Sequence, residues 1–203
     1  MNAEASAASD PGGMLSPNRV LLFSGHRVDA PGRAKPRFPA TQVDRAAQAI
    51  ASALDSIGAA PGDLALTQGA AGGDLLFAEA CHARGVRVRL MLPMPEPRFV
   101  AQSILPSADG VHWLDRWRAL REKLLDAPQV MPDAPEPAPP ANAFARCNLW
   151  MLETALAYGA SRLVFLCLWN GADGDGPGGT AQMVEAVRRR AGRVHWIDTR
   201  ALW

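Results

Sequence analysis

Short apolar runs alternate with helical patterns along most of the chain. Five runs of four to seven residues predict strands, at 20–23, 64–67, 86–92, 163–169 and 194–198. Between them, apolar residues recur with the period of an α-helix, which predicts helices over 43–57, 75–84, 113–125, 144–158 and 182–190. Most of the strands are apolar throughout, as is typical of strands covered on both faces. The pattern therefore predicts an α/β fold, a Rossmann-like three-layer sandwich with a mostly parallel sheet of about five strands.

The length of 203 residues suits one domain. Residues 1–18 are small and polar, and we expect a disordered N-terminal segment there, followed by one domain over 19–203. Six prolines lie between 128 and 140. We interpret 127–141 as a Pro-rich excursion within the domain, because a further strand follows it.

Composition excludes several classes of function. The formal net charge of +1 does not give the strongly basic character that is typical of proteins that bind nucleic acid, so such a partner is not expected. No apolar run approaches the ~20 residues that span a bilayer, and we expect no membrane partner. Three cysteines without paired spacing indicate a reducing compartment, and we expect a cytoplasmic protein. No metal-ligand spacing is present, and no cofactor is expected.

Two glycine-rich segments, Gly69–Asp74 and Gly174–Thr180, each lie between a predicted strand and a predicted helix. Glycines let a backbone approach a ligand closely, and a helix N-terminus presents N–H groups to a phosphate. The predicted ligand contacts are Gly69, Gly72, Gly73, Asp74, Gly176, Gly178, Gly179 and Thr180. The alternatives are a tight turn with Asp74 as an ordinary helix-start acid, and a flexible surface loop. The first segment is neither a GxGxxG nor a Walker motif, because no Gly-Lys-Ser/Thr follows it, and this disfavours P-loop chemistry.

A third segment, Ser24-Gly25-His26-Arg27, follows the first strand and is predicted to reach the same edge of the sheet. His26 could donate to a phosphate or ribose, and Arg27 could pair with an anion. A structural role for His26 is the alternative. Arg33 and Arg37 lie further along the same loop and could reach over the site.

Glu79 and Glu185 are the candidate catalytic residues, since each lies in a helix that begins at a glycine-rich segment. A carboxylate there could hydrogen-bond a ribose hydroxyl or act as an acid in glycosidic cleavage. For Glu185 the alternative is a surface acid that balances Arg188 and Arg189. No Ser–His–Asp or Cys–His arrangement is recognisable.

The order of these motifs resembles the SLOG superfamily of Rossmannoid domains, which includes the LOG phosphoribohydrolases and the DNA-processing DprA proteins. More closely, it resembles a bacterial branch in which the domain often sits beside tetratricopeptide or signalling modules. The motifs that carry the resemblance are Phe23-Ser-Gly-His26, Asp29-Ala-Pro31, Pro36-Arg-Phe-Pro39, Leu166-Cys-Leu-Trp169 and Asp175-Gly-Pro-Gly-Gly-Thr180. The resemblance implies recognition of a nucleotide, by a sensor or by an N-glycosidic hydrolase.

The catalytic branch is similar to a pattern Pro-Gly-Gly-x-Gly-Thr-x-x-Glu. Here Thr180 directly follows Pro177-Gly-Gly179, and Glu185 lies five residues beyond Thr180 instead of three. On a helix that shift turns the carboxylate by about 200°. This departure disfavours phosphoribohydrolase chemistry and leaves ligand binding intact.

The sequence thus favours a sensor that binds a nucleotide-type small molecule. The alternatives are a nucleoside-monophosphate N-glycosidase and DprA-like binding of single-stranded DNA, for which a basic groove with stacking aromatics is missing. Trp113, Trp117 and Trp203 could cover a homo-oligomer surface. Packing of these tryptophans within the monomer is the other interpretation.

Overall fold

The computed structural model describes residues 16–132, 142–172, 179–190 and 193–203. In these ranges six strands form one sheet in which every strand pair is parallel, in the order β4-β3-β2-β1-β5-β6. The strands are β1 (Val20–Gly25), β2 (Leu64–Thr67), β3 (Arg87–Leu92), β4 (Gln129–Val130), β5 (Leu163–Trp169) and β6 (Val194–Asp198). The predicted α/β sheet is confirmed.

Helices cover both faces of this sheet. The described helices are α1 (Val43–Ser56), α2 (Gly73–Ala83), α3 (Glu96–Ser103), α4 (Gly110–Lys123), α5 (Ala143–Ala157) and α6 (Thr180–Arg190). Apolar side chains of α1 to α4 form one core with alternate residues of the strands, and those of α5 and α6 form a second core on the opposite face. The result is the predicted three-layer, Rossmann-like sandwich.

The strand order changes direction at β1. From β1 the chain proceeds through β2, β3 and β4 toward one edge, and then returns to place β5 and β6 on the other side of β1. The chain that leaves β1 therefore continues toward the β4 edge of the sheet, whereas the chain that leaves β5 continues toward the β6 edge. In open α/β sheets a crevice forms at the carboxyl ends of the strands at such a point.

Two described elements were not expected from the sequence. Gln129 and Val130 of β4 lie inside the stretch interpreted as Pro-rich excursion, and pair with Met91 and Leu92 of β3. Helix α3 begins directly after Pro95 and carries Pro97 in its first turn. Proline is compatible with that turn because its missing N–H would have no partner there, so the prolines after β3 mark a helix start.

A partly buried ion pair fixes the chain just before β1. The guanidinium of Arg19 lies 2.7 Å from the carboxylate of Asp63, just before β2, and the amide of Asn18 donates to the carbonyl of Gly62. Residues 1–15 of the predicted disordered segment lie outside the described residues, as do 133–141 of the Pro-rich stretch. None of the described helices is long and apolar enough to cross a bilayer.

Cysteines and tryptophans contribute mainly to the cores. Cys81, Cys147 and Cys167 are buried as free thiols, and burial raises the pKa of each. Trp113 and Trp117 are buried within the monomer, whereas Trp203 is half-buried and stacks on the ring of Phe38 at 5.3 Å. Trp113 and Trp117 are therefore not exposed for contact with a second copy.

Candidate functional site

A cleft of about 370 Å³ lies at the carboxyl ends of β1, β2 and β5, where the strand order changes direction. The side chains that line the cleft form two groups that differ in burial. Buried polar side chains form what we call the floor, which consists of Ser24, His26, Gln68, Asp74, Asn148 and Thr180. Half-buried and exposed side chains form the rim, which includes Arg27, Arg33, Arg37, Asn142, Phe144 and Trp169. The site thus combines a cationic rim with a buried polar floor.

The end of β1 lies at the centre of the cleft. A Cβ on Gly25 would lie 2.7 Å from the ring of Phe23 and 3.2 Å from the Cβ of Leu168, so a side chain does not fit there. The hydroxyls of Ser24 and Thr180 lie 3.4 Å apart. That contact brings the first turn of α6 to the end of β1, where both hydroxyls line the cleft.

His26 joins the ends of β1 and β5. Its Nε2 accepts a hydrogen bond of 3.2 Å from the backbone N–H of Asn170. Burial lowers the pKa of His26 to about 4 and outweighs the hydrogen bond with Asn170, which raises the pKa. The positive charges of Arg37 and Arg33 also lower it. The imidazole is therefore neutral near pH 7 and, with Nε2 as acceptor, carries its proton on Nδ1. It lines the cleft without adding positive charge.

The loop after His26 is organised around Asp29. One carboxylate oxygen of Asp29 accepts hydrogen bonds of 2.9 Å from the amides of both Arg37 and Phe38, and the other lies 3.3 Å from Nε of Arg33. At the start of the loop, Arg27 donates to the carbonyl of Gln102 in α3. Asp29 thereby brings Arg33 and Arg37 to the same side of the cleft. The loop supplies all three rim arginines named above.

The glycines of the first glycine-rich segment shape the loop and are not among the described residues that line the cleft. Gly72 has φ +112° and forms an antiparallel bridge with Arg27, while the amide of Gly73 donates to the carbonyl of His26. Gly69 packs beneath Leu90 and Trp117. The segment contributes Ala70 and Asp74 to the cleft instead.

Asp74 is a buried acid on the floor. It lies in the first turn of α2, and its Oδ2 is 3.4 Å from the amide of Ala70. Burial raises the pKa of Asp74 to about 7, although hydrogen bonds from the amides of Ala70 and Gly25 oppose that rise. The carboxyl is therefore present in both neutral and ionised forms near pH 7.

Gln68 and Asn148 form a buried pair of amides on the same floor. Nε2 of Gln68 donates to Oδ1 of Asn148 at 2.7 Å. Gln68 follows β2, whereas Asn148 lies in α5, so the pair connects the sheet to the helix that covers it. Both side chains line the cleft.

The second glycine-rich segment is only partly described. Gly179 and Thr180, at the start of α6, line the cleft. The predicted contacts Gly176 and Gly178 lie outside the described residues. The described cleft lining therefore includes seven of the predicted ligand contacts, namely Ser24, Gly25, His26, Arg27, Asp74, Gly179 and Thr180. It also includes Arg33 and Arg37, the two arginines of the less favoured prediction.

The two candidate catalytic glutamates are not part of the described cleft lining. Glu79 forms a two-point ion pair with Arg116 of α4, with N–O distances of 3.1 and 2.5 Å. Glu185 is exposed on α6, where its carboxylate lies 3.4 Å from Arg189. Its position matches the surface-acid alternative.

The lining residues that the sequence analysis did not name as ligand contacts include Gln68, Asn148, Phe144 and Trp169. For Asn148 a signal was present, since an amide in a mostly apolar helix needs a partner when it is buried. The partner itself is 80 positions away and is not indicated by any local pattern. Among the described residues no group of three or more His, Cys, Asp or Glu is placed to hold a metal ion.

No protein-family model matches the chain, and no curated protein sequence matches it either. Among solved structures it is similar to the Moco carrier protein from Chlamydomonas reinhardtii, at 14% sequence identity and a TM-score of 0.35. The match covers 90% of this chain and 91% of that protein. A likeness at this level carries no argument about ligand or activity, and the SLOG resemblance rests on the sequence motifs alone.

Proposed function

We propose that this domain binds a nucleotide or a nucleotide-derived signalling ligand in the cleft at the carboxyl edge of the sheet, as a sensor and not as an enzyme. The observation that carries the proposal is the convergence of Arg27, Arg33 and Arg37 on the rim above a buried polar floor. A ligand with a charged end and a neutral polar end matches that arrangement. A nucleotide is such a ligand.

The charged end of the ligand would lie at the rim of the cleft. Guanidinium groups bind phosphate through paired N–H donors, and the N-terminus of α6 at Gly179 and Thr180 adds a positive dipole end. Asp29 positions Arg33 and Arg37 before any ligand arrives. Such preorganisation reduces the entropy that binding costs.

The neutral polar end of the ligand would lie against the floor of the cleft. Ligand clefts of about 300–1,000 Å³ are typical for small molecules, and this cleft falls in that range. Phe144 and Trp169 offer aromatic surface on the rim, against which a base could pack. Gln68 and Asn148 offer amide groups for hydrogen bonds with polar edges.

The positions of the acids favour binding over cleavage. An N-glycosidase needs a carboxyl group at the bond that breaks, but Glu79 and Glu185 are each engaged with an arginine outside the described cleft lining. Asp29 and Asp74 are inside the cleft, but Asp29 is engaged by the loop that it organises, and Asp74 accepts hydrogen bonds from the amides of Ala70 and Gly25. We therefore place sensing ahead of hydrolysis.

Thermal unfolding and calorimetry with AMP, GMP, CMP, UMP and ADP-ribose test the proposal, with adenosine as the unphosphorylated control. We expect at least one phosphorylated compound to raise Tm and adenosine to have little effect. A ligand at 100 times its Kd should stabilise the fold by about 2.7 kcal/mol. If no phosphorylated compound binds, the proposal is wrong. Release of free base during incubation would overturn the sensor part and favour the hydrolase.

Arginine variants test the rim directly. Arg37→Gln should weaken binding of the active compound by roughly 10- to 100-fold, because a hydrogen bond to a charged group contributes about 1.5–3 kcal/mol. Arg118→Gln is the matched control, since Arg118 is an exposed residue of α4 and is not among the described lining residues. Equal affinities of the two variants would contradict the assignment of phosphate to the rim.

A further inference from the structure

Asp74 has an unusual position for a helix-start acid. It lies in the first turn of α2, yet only 8% of its surface is exposed, and its side chain faces the cleft. The ion pairs that the described residues form do not include Asp74. Its carboxyl accepts hydrogen bonds from the amides of Ala70, Gly25 and Gly69, and the contact with Ala70 is long, at 3.4 Å. A capping role alone would not require a carboxyl group on the floor of a cleft.

The titratable or charged groups that line the cleft together with this carboxyl are His26 at the end of β1 and Arg27, Asp29, Arg33 and Arg37 on the loop. Cys147 on α5 is close enough that, besides burial, the charge of Asp74 raises its pKa, and Glu79 lies further along α2. Burial lowers the pKa of His26 to about 4 and raises that of Cys147, so neither group changes charge between about pH 6 and pH 8. Burial places the pKa of Asp74 inside that interval, at about 7.

The chemistry of the ligand then depends on which form of Asp74 it meets. An ionised carboxylate on the floor would repel a ligand that already carries a phosphate. A neutral carboxyl instead provides one O–H donor, beside the amides of Gln68 and Asn148. Ring nitrogens and carbonyl oxygens of nucleobases are acceptors of such hydrogen bonds.

We propose that Asp74 is a specificity-determining residue of the cleft, whose carboxyl O–H donates a hydrogen bond to a ring nitrogen or carbonyl oxygen of the bound nucleobase. The inference rests on the proposed function, because it assigns the buried end of the nucleotide. It implies that the base adds affinity in acidic and neutral solution and adds less in alkaline solution. It also implies that the ligand binds together with a proton when Asp74 is initially ionised.

The first test compares AMP with ribose 5-phosphate by calorimetry at about pH 6 and about pH 8.5, with GMP in parallel. Both sugar phosphates carry the same phosphate monoester, whose second pKa is near 6, so its titration cancels in the ratio of the two Kd values. The Kd of ribose 5-phosphate divided by the Kd of AMP measures the contribution of the base to affinity. We expect this ratio to fall about tenfold or more from about pH 6 to about pH 8.5. In Asp74→Asn the ratio should be independent of pH. Glu185→Gln, which removes an exposed acid, should behave as the wild type does.

The second test counts protons and needs no variant. Calorimetry in two buffers of different ionisation enthalpy at about pH 8 should show that AMP takes up close to one more proton than ribose 5-phosphate. An ionised Asp74 that accepts from an exocyclic amine would give almost no difference in proton uptake, because the carboxyl is already largely ionised at that pH, and this result would overturn the inference. A ratio of Kd values that does not change with pH would overturn it too. Those results leave the proposed function standing, whereas failure of every phosphate compound to bind refutes the function itself. If Asp74→Asn does not fold, the proton count decides.

Discussion

At the scale of single residues, Gly72 connects the sequence pattern to the shape of the site. Its φ of +112° lies in the region that favours glycine, and a Cβ there would lie 2.6 Å from the backbone nitrogen of Val28 and 3.0 Å from the carbonyl oxygen of His26. Two backbone segments therefore approach each other at this residue. The amides of Val28 and Gly73 complete the contact by donating to the carbonyls of Ala71 and His26.

Gly72→Ala should therefore destabilise the protein more than an ordinary glycine substitution at positive φ. We expect a loss of roughly 3 kcal/mol or more in the free energy of unfolding, because backbone strain and the clash with Val28 add together. Gly32→Ala is the matched control, since Gly32 has φ +75° but no atom within 4 Å of its Cβ position. It should lose only about 1–2 kcal/mol. Equal losses in urea unfolding of the two variants would show that the close approach at Gly72 does not matter.

At the scale of elements, Asp29 makes several of the contacts that fix the loop from Arg27 to Phe38. The carboxylate of Asp29 receives two backbone amides and one guanidinium, and the backbone of Asp29 adds a second link, because its amide donates to the carbonyl of Phe38 and its carbonyl accepts from Ala108. The loop has little regular structure of its own. Its conformation, and the placement of the rim arginines, should therefore depend strongly on Asp29.

Asp29→Ala should loosen this loop without unfolding the sheet. Hydrogen exchange at the amides of Arg37 and Phe38 should become faster, and AMP affinity should fall about tenfold, since two charge-assisted hydrogen bonds and the ion pair with Arg33 are lost. Asp29→Asn should be intermediate, because its amide oxygen can still accept from the backbone while the ion pair is lost. Asp44→Ala, which removes an exposed acid at the start of α1, should leave exchange in the loop unchanged. Unchanged exchange in Asp29→Ala would contradict this description of the loop.

The same elements show what the sequence could and could not predict. The apolar runs of β1 and β5 were predictable because strands buried on both faces need continuous apolar residues, and the edge that carries the cleft followed from the parallel order. The pairing of Gln68 with Asn148 was not predictable, since it joins distant residues through the packing of α5 on the sheet. For Gly72, the flexibility of glycine was visible, but its partner is the backbone of His26 to Val28, which has no signature in the side-chain pattern. β4 is two residues long and acquires its structure from pairing with β3.

At the scale of the whole molecule, His26 and Asp74 make opposite contributions to the pH dependence of stability. The pKa of His26 is lowered from 6.5 to about 4 in the folded state, so its contribution is present above pH 6.5 and is lost as the pH falls toward 4. The pKa of Asp74 is raised from 3.8 to about 7, so its contribution is present below pH 3.8 and is lost as the pH rises toward 7. Between about pH 4 and pH 6.5 the unfolded chain binds one proton more than the folded protein at His26 and one fewer at Asp74. The two contributions to the pH dependence of the free energy of unfolding should therefore largely cancel in the wild type.

Substituting either residue should reveal how the other residue alone makes the free energy of unfolding depend on pH. Relative to the wild type, Asp74→Asn should lose roughly 2 kcal/mol of unfolding free energy between about pH 6 and about pH 4.5, since each pH unit of an uncompensated proton corresponds to about 1.4 kcal/mol. His26→Gln, whose amide can still accept from Asn170, should gain a similar amount over the same interval because only the Asp74 contribution remains. Urea unfolding of the three proteins at both pH values measures these differences, and the other titrating groups cancel in each comparison. Parallel pH profiles for all three proteins would mean that these two side chains do not carry the shifted pKa values, and slopes of the opposite sign would mean that burial acts on their charge in the reverse direction. If the profiles instead diverge as expected, the floor of the cleft holds a neutral histidine and, below about pH 6, a largely neutral acid, so the positive charge of the site comes from the arginines of its loop.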